Sequence, residues 1–134
     1  MTPDAMLVVL AMRSLAWTSD VDALAAAIMA EAQTWDEATL AVAVIFREAS
    51  NRLNVVGDHG RARCAMQLHN APREVLTDAR LCVRIGLARL RASAAACPST
   101  PLASYAGAPC GSKVAGRISR DRDALRRRMF GGAP

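Results

Sequence analysis

Two acidic residues, Glu48 and Asp58, stand where a carboxyl group could transfer protons. Glu48 follows an apolar run over residues 40–46, and a polar segment rich in glycine and arginine begins after it. If the run is helical, Glu48 lies at its C-terminal end, where burial and the helix dipole both raise a carboxyl pKa. A carboxylic acid that stays protonated near neutral pH suits general acid catalysis. The alternative is a structural ion pair between Glu48 and one of the arginines nearby in sequence.

Four short segments follow one another in an order that is more specific than any of them alone. They are Arg47-Glu48-Ala49-Ser50, Val56-Gly57-Asp58-His59-Gly60-Arg61-Ala62, Cys64-Ala65-Met66-Gln67-Leu68-His69 and Leu102-Ala103-Ser104-Tyr105-Ala106-Gly107. In this combination the chain resembles the lysozyme-like superfamily, and most closely its lytic transglycosylase and goose-type lysozyme branches, over about residues 38–110. The sequence departs from the family pattern at Ala49, at Cys64-Ala65 and at Ala106, where serine, Gly-Leu and asparagine are usual.

The resemblance implies a peptidoglycan-degrading enzyme with one catalytic acid. Glu48 would protonate the oxygen of the β-1,4 bond between N-acetylmuramic acid and N-acetylglucosamine. It would then act as the base while the muramic C6 hydroxyl closes a 1,6-anhydro ring, which is lytic transglycosylase chemistry. A hydrolytic lysozyme (muramidase) would instead need a second carboxylate to activate water, and Asp58 is the candidate. A further alternative is a catalytically weakened glycan-binding or structural module of a larger assembly.

Substrate contacts also follow from the resemblance. It implies that Ser50, Met66, Gln67 and Tyr105 line the cleft and position the glycan. The alternatives are a core methionine at position 66 and a structural hydroxyl at Tyr105. No cofactor is expected for acid–base chemistry of this kind. We expect no metal site, because the cysteines and histidines lack the spacing of a standard zinc site.

Four cysteines, at positions 64, 82, 97 and 110, indicate two disulfides. Cys97 and Cys110 flank a segment with three prolines and a glycine, which favours a closed loop between them, and Cys64 and Cys82 would then pair. This is one of three possible connectivities, and four reduced thiols are the alternative. An even number of cysteines in a small domain favours an oxidising environment.

The net charge of +5 lies at the C-terminal end of the chain. Residues 1–110 contain ten basic and ten acidic side chains, whereas residues 111–134 contain seven basic and two acidic ones. A basic helix on a neutral body favours an anionic partner such as a cell-wall polymer or a membrane surface, with a solvated helix face as the alternative. No aromatic residues are interleaved with the arginines, which argues against nucleic acid.

The candidate site residues should be positioned mainly by helices, because the composition of the chain favours helices over strands. The chain of 134 residues is 52% apolar and 4% aromatic, and alternating β-branched runs are missing. Cap residues and apolar spacing predict helices over about residues 3–15, 21–32, 35–50, 78–96 and 112–129, and a short one over 99–105. The helix over 35–50 should be central and buried, since its apolar run leaves no polar face. Residues 51–69 should form a long polar loop or a small hairpin. The fold class expected is therefore mainly α, as a single domain over residues 1–134.

The N-terminal segment is not typical of an export signal. Asp4 precedes its apolar residues, and no basic residue does. The protein would then work where it is made, leave the cell by another route, or have had a leader removed. We expect action in the periplasm, the cell wall or the extracellular space. A phage-derived lysin, free or associated with a virion, fits the same pattern.

Overall fold

The computed structural model describes residues 1–131 and is mainly helical, as predicted. Its helices are α1 (Pro3–Leu15), α2 (Val21–Glu31), α3 (Trp35–Ala49), α4 (Ala79–Ala96) and α5 (Lys113–Phe130). Between α3 and α4 lie three two-residue strands, β1 (Val56–Gly57), β2 (Ala62–Arg63) and β3 (Leu68–His69), followed by a 3₁₀ turn over Arg73–Leu76. No helix among the described residues is long and apolar enough to cross a membrane.

Side-chain caps start four of the five helices. Thr2, Thr34, Asp78 and Ser112 each accept a hydrogen bond from the backbone N–H three residues later. The fifth helix differs, because the carboxylate of Asp20, at the start of α2, accepts the N–H of Leu53 instead. The predicted helix boundaries are thus confirmed to within a residue or two, while Asp20 stabilises the chain after α3 and not its own helix.

Helix α3 is the centre of the core. Its residues 41–45 are all buried, which confirms the prediction of a central helix, and α1, α2, α4 and α5 all pack against it. The largest fully buried side chains come from several elements around it: Met12, Leu24, Ile28, Ile45, Met66, Leu68 and Leu87. Burial of side chains of this size is the main source of stability in a domain this small.

The polar segment after α3 forms a three-stranded antiparallel sheet in the order β1-β2-β3. Val56 pairs with Arg63, and Ala62 pairs with both Gly57 and His69. The predicted hairpin is therefore present, with residues 58–61 as its turn. This register brings His69, at the edge of β3, close to Asp58 in that turn.

The predicted short helix over residues 99–105 is wrong. The chain makes a series of turns there, with backbone hydrogen bonds from Ala103 to Thr100 and from Ala106 to Leu102. The N–H of Tyr105 donates to the hydroxyl of Ser93 on α4 and not to a carbonyl one helical turn back. This tertiary contact replaces a bond that a regular helix would need.

Candidate functional site

A groove of about 890 Å³ runs between the sheet, the C-terminal end of α3 and the facing sides of α4 and α5. It brings together residues that are far apart in the sequence. Its polar lining consists of Glu48, Asp58, Gln67, His69, Arg89, Ser93, Ser104, Tyr105 and Arg122. Four of the six predicted catalytic and substrate-contacting residues are in this set, namely Glu48, Asp58, Gln67 and Tyr105.

Glu48 lies in the last turn of α3 with 30% of its side chain exposed. Burial raises the pKa of its carboxyl group above the ordinary value, and this effect outweighs the opposing charges of Arg122 and His69. The C-terminal end of a helix also favours the neutral acid. Glu48 is therefore a carboxyl group that retains its proton to a higher pH than a solvated glutamate and that is open to the groove.

Arg122 on α5 is the charged neighbour of Glu48. Its Nη2 lies 3.6 Å from Oε1 of Glu48, while its Nη1 lies 2.8 Å from Oδ2 of Asp121. Asp121 also accepts two hydrogen bonds from Arg47, at 3.0 and 3.2 Å. Arg122 is thus shared between two carboxylates and is closer to Asp121, and its effect on the pKa of Glu48 is smaller than that of burial.

Asn51 fixes the backbone that follows Glu48. It is completely buried, with a left-handed φ of 63°, and its Nδ2 donates to the carbonyls of Met12 and Ala16 at 2.7 and 3.0 Å. The hydroxyl of Thr18 donates to its backbone oxygen. Asparagine tolerates the left-handed conformation better than most residues, so it suits a sharp helix end. These contacts fix the end of α3, and with it the position of Glu48.

Asp58 and His69 face each other across the sheet edge. Nε2 of His69 lies 3.2 Å from Oδ2 of Asp58, and about half of each side chain is exposed. Arg89 on α4 donates a hydrogen bond to the backbone oxygen of His69 and so ties the sheet to the helix. His69 was not among the residues predicted to act in the site, yet it is the partner of the second candidate carboxylate.

Tyr105 and Gln67 both line the groove, and both donate to backbone carbonyls of the segment over residues 55–66. The Tyr105 hydroxyl donates to the backbone oxygen of Met66, and burial, with the nearby charge of Glu48, raises its pKa, so it remains a neutral phenol. Nε2 of Gln67 donates to the carbonyls of Cys64 and Val55 at 2.9 and 3.3 Å. The amide orientation of Gln67 is thereby fixed, and its Oε1 remains as an acceptor.

Two of the predicted substrate contacts are wrong. The Met66 side chain is fully buried in the core, and it packs so closely on Gly86 that a Cβ atom there would lie 2.1 Å from the Met66 sulfur. Only the backbone oxygen of Met66 serves the site, through Tyr105. Ser50 is exposed at the left-handed end of α3 and is not part of the groove lining. The left-handed turn at the helix end carries Ser50 away from Glu48.

Both predicted disulfides are present, and they flank the groove. Cys64–Cys82 joins the turn before β3 to α4, and Cys97–Cys110 closes the loop that contains Tyr105. The first bond connects the sheet side of the groove to its helical side. The alternative of four reduced thiols does not apply to this structure.

Arg122 is the main groove residue that the sequence interpretation missed. A weak signal was present, because the apolar stripe of α5 over Val114, Ile118, Leu125 and Met129 is interrupted at position 122, one turn after Ile118. A charged residue inside an apolar stripe indicates a buried ion pair or a site. Its partner Glu48 is 74 residues away, so no local pattern identifies it.

Among residues 1–131 no group of three or more histidine, cysteine, aspartate or glutamate side chains could hold a metal ion. Comparison of the chain with protein-family models, with curated proteins and with solved structures finds no match.

Proposed function

We propose that this protein cleaves the glycan strands of peptidoglycan at the N-acetylmuramic acid–β-1,4–N-acetylglucosamine bond, with Glu48 as general acid and then base. The observation that carries the proposal is a half-buried carboxyl group, with its pKa raised by burial, at the wall of a groove large enough for several sugar rings. The resemblance of the segments around Glu48, Asp58, Gln67 and Tyr105 to lytic transglycosylases adds to it. Glycoside cleavage needs such a protonated acid beside the leaving oxygen.

In the proposed reaction Glu48 gives its proton to the glycosidic oxygen as the bond from that oxygen to the muramic C1 breaks. The Glu48 carboxylate then accepts the proton of the muramic C6 hydroxyl, while O6 forms a bond to C1. The product ends in a 1,6-anhydro ring, no water is consumed, and Glu48 is protonated again. Arg122, at 3.6 Å, stabilises the carboxylate during the interval in which Glu48 is ionised, while burial keeps the pKa of the acid above its ordinary value.

Hydrolysis is the second candidate reaction, and the Asp58–His69 pair is the observation that favours it. Asp58 lines the same groove as Glu48, and His69 holds its carboxylate at 3.2 Å. A carboxylate fixed in this way could orient and deprotonate a water molecule on the far side of the sugar. The product would then have a reducing end in place of the anhydro ring.

Digestion of purified peptidoglycan, followed by mass spectrometry of the fragments, tests the proposal. We expect the wild-type protein to release fragments with anhydromuramic ends, which are lighter by one water than hydrolysis products. Glu48→Gln should abolish release, and Asp58→Asn should retain most of it. Glu74→Gln is the matched control, because Glu74 is exposed and outside the groove lining.

The outcomes of this digestion separate the candidates. Reducing ends together with an inactive Asp58→Asn variant would make the protein a lysozyme. Wild-type activity in Glu48→Gln would refute the assignment of the acid. A folded wild-type protein that releases nothing but sediments with peptidoglycan would be a glycan-binding or structural module.

The two disulfides support a place of action outside a reducing cytosol. We propose the periplasm, the cell wall or a virion as that place. In each of them the substrate glycan is accessible to a bacteriolytic enzyme.

A further inference from the structure

Most basic side chains of this protein have a partner. Of the 17 lysines and arginines, eight form ion pairs and three others, Arg52, Arg63 and Arg89, donate to backbone carbonyls. Within residues 1–131, six have neither kind of contact. These six are Arg61, Arg73, Lys113, Arg117, Arg120 and Arg128.

Three of the six unpaired cations surround one cavity. Lys113, Arg117 and Arg120 are exposed on the first half of α5 and line a cavity of about 490 Å³ together with Thr100, Gly111, Ser112 and Gly116. They are four and three residues apart, so they form a row about 10 Å long on one helix face. No acidic residue of the described chain lines this cavity. Like charges at this spacing repel one another, and a bound anion would remove that repulsion.

Gly116 leaves room for the guanidinium of Arg120. A Cβ atom at this position would lie 3.0 Å from Nη1 of Arg120, so the guanidinium folds back over the glycine. The Arg120 charge therefore lies over the turn of α5 that precedes Arg120, on the side toward Lys113. The second half of α5 differs, since three of its four arginines, Arg122, Arg126 and Arg127, are paired with carboxylates and only Arg128 is not.

We propose that this cavity binds successive phosphate groups of a phosphodiester-linked cell-wall polymer. The choice of a wall polymer rests on the proposed function, whereas the anion chemistry rests on the unpaired row alone. The lining contains no aromatic side chain on which bases could stack and no asparagine or glutamine that could read base edges, which argues against nucleic acid. The lining is concave and lacks large apolar side chains, unlike a surface that inserts into a membrane.

The cavity and the groove lie on neighbouring faces of α5. Ile118 and Arg122 line the groove, while Arg117 and Arg120 line the cavity. Successive helical residues differ in direction by about 100°. A wall polymer held in the cavity would therefore keep the groove close to the glycan strands to which such polymers are attached.

Binding of soluble poly(glycerol phosphate) to the full chain tests the proposal without requiring catalysis. We compare the wild type with K113Q/R117Q/R120Q and with R61Q/R73Q/R128Q. The second triple variant is a matched control, because it removes three unpaired charges outside the cavity and leaves the same net charge. At low salt we expect the cavity variant to bind roughly a hundredfold more weakly, at about fivefold per charge, and the control variant to lose much less. Gly116→Ala, which keeps every charge, should weaken binding severalfold by displacing Arg120.

Equal losses in the two triple variants would overturn the proposal, since they would show attraction by net charge alone. Failure of the wild type to bind the polymer would also overturn it. Duplex DNA or anionic phospholipid vesicles that bind as tightly at the same salt concentration would assign the cavity to another class of partner. Peptidoglycan cleavage by the same variants is measured separately. A wild type that binds the polymer but cleaves nothing would refute the proposed function and leave this inference standing.

Discussion

Replacement of Arg122 by glutamine should move the pH range in which the protein is active. A general acid works in its protonated form, so the rate falls as the pH rises through the pKa of Glu48. Arg122 favours the ionised carboxylate and lowers that pKa, although burial has the larger and opposite effect. Without Arg122, the pKa of Glu48 rises further. The falling limb of the pH–rate profile should therefore shift to higher pH in Arg122→Gln.

The geometry indicates an effect large enough to measure. At the observed 3.6 Å, two unit charges interact with about 5 kcal/mol at an effective dielectric constant of 20 and about 1 kcal/mol at that of water. Asp121, at 2.8 Å from Arg122, takes up part of the arginine charge, which places the interaction with Glu48 toward the lower figure. Asp121 keeps its bonds from Arg47 in the variant, so Glu48 is the carboxylate whose charged partner is removed.

The assay is cleavage of soluble peptidoglycan fragments between pH 4 and 9, with the wild type, Arg122→Gln and Arg126→Gln. Arg126 is a matched control, because it lies one turn further along α5, is similarly buried and pairs with Asp36 and Asp123 but not with Glu48. We expect the limb to move only in Arg122→Gln. The assignment of Glu48 as the acid whose pKa Arg122 lowers would be contradicted by three results. These are a falling limb of the pH–rate profile that does not move, one that moves to lower pH, and one that moves equally in both variants.

Three further predictions concern stability. Tyr105→Phe should lower the free energy of unfolding in denaturant by about 1–3 kcal/mol, because the Met66 carbonyl loses its hydrogen-bond donor. An unchanged unfolding midpoint would show that water takes the place of the tyrosine hydroxyl. Replacement of both Cys64 and Cys82 by alanine should lower the free energy of unfolding by about 3 kcal/mol, because the disulfide closes a loop between residues 18 positions apart. A decrease of less than about 1 kcal/mol would count against that bond. Glu48 has a raised pKa in the folded state, so its contribution to stability is present below about pH 4.5 and is lost as the pH rises. Glu48→Gln should therefore exceed the wild type in stability by more at pH 7 than at pH 4, and the opposite trend would contradict a buried acid.

The parts of the fold that sequence could predict are those that depend on neighbours in the chain. Thr2, Asp78 and Ser112 identified their helices because an N-cap acts over three residues. The apolar run of α3 predicted its central place, since a helix without a polar face has to be covered by other elements. The turn residues around Asp58 predicted the hairpin in the same way.

The parts that could not be predicted depend on contacts between distant residues. The segment around Tyr105 had helical composition, but its N–H is taken by Ser93 on another helix. Met66 stands at a position of the motif, but its side chain is buried in the core, where it packs against Gly86. Spacing along the chain contains no information on which of two neighbouring side chains faces the groove and which faces the core.

Contacts between distant residues also change the interpretation of the basic C-terminal helix. Its composition indicated an appendage that meets an anionic partner, but Ala115, Gly116 and Leu125 are buried, and α5 packs along α3. Arg47 and Glu48 on α3 meet Asp121 and Arg122 on α5, so the charge beside the proposed acid is set by the packing of these two helices. Helix α5 is therefore part of both the core and the groove, and the unpaired row in its first half is the part for which we propose an anionic partner. Under the two proposals, one helix would contribute to the protonation of Glu48 and, on its neighbouring face, to the binding of an anionic wall polymer.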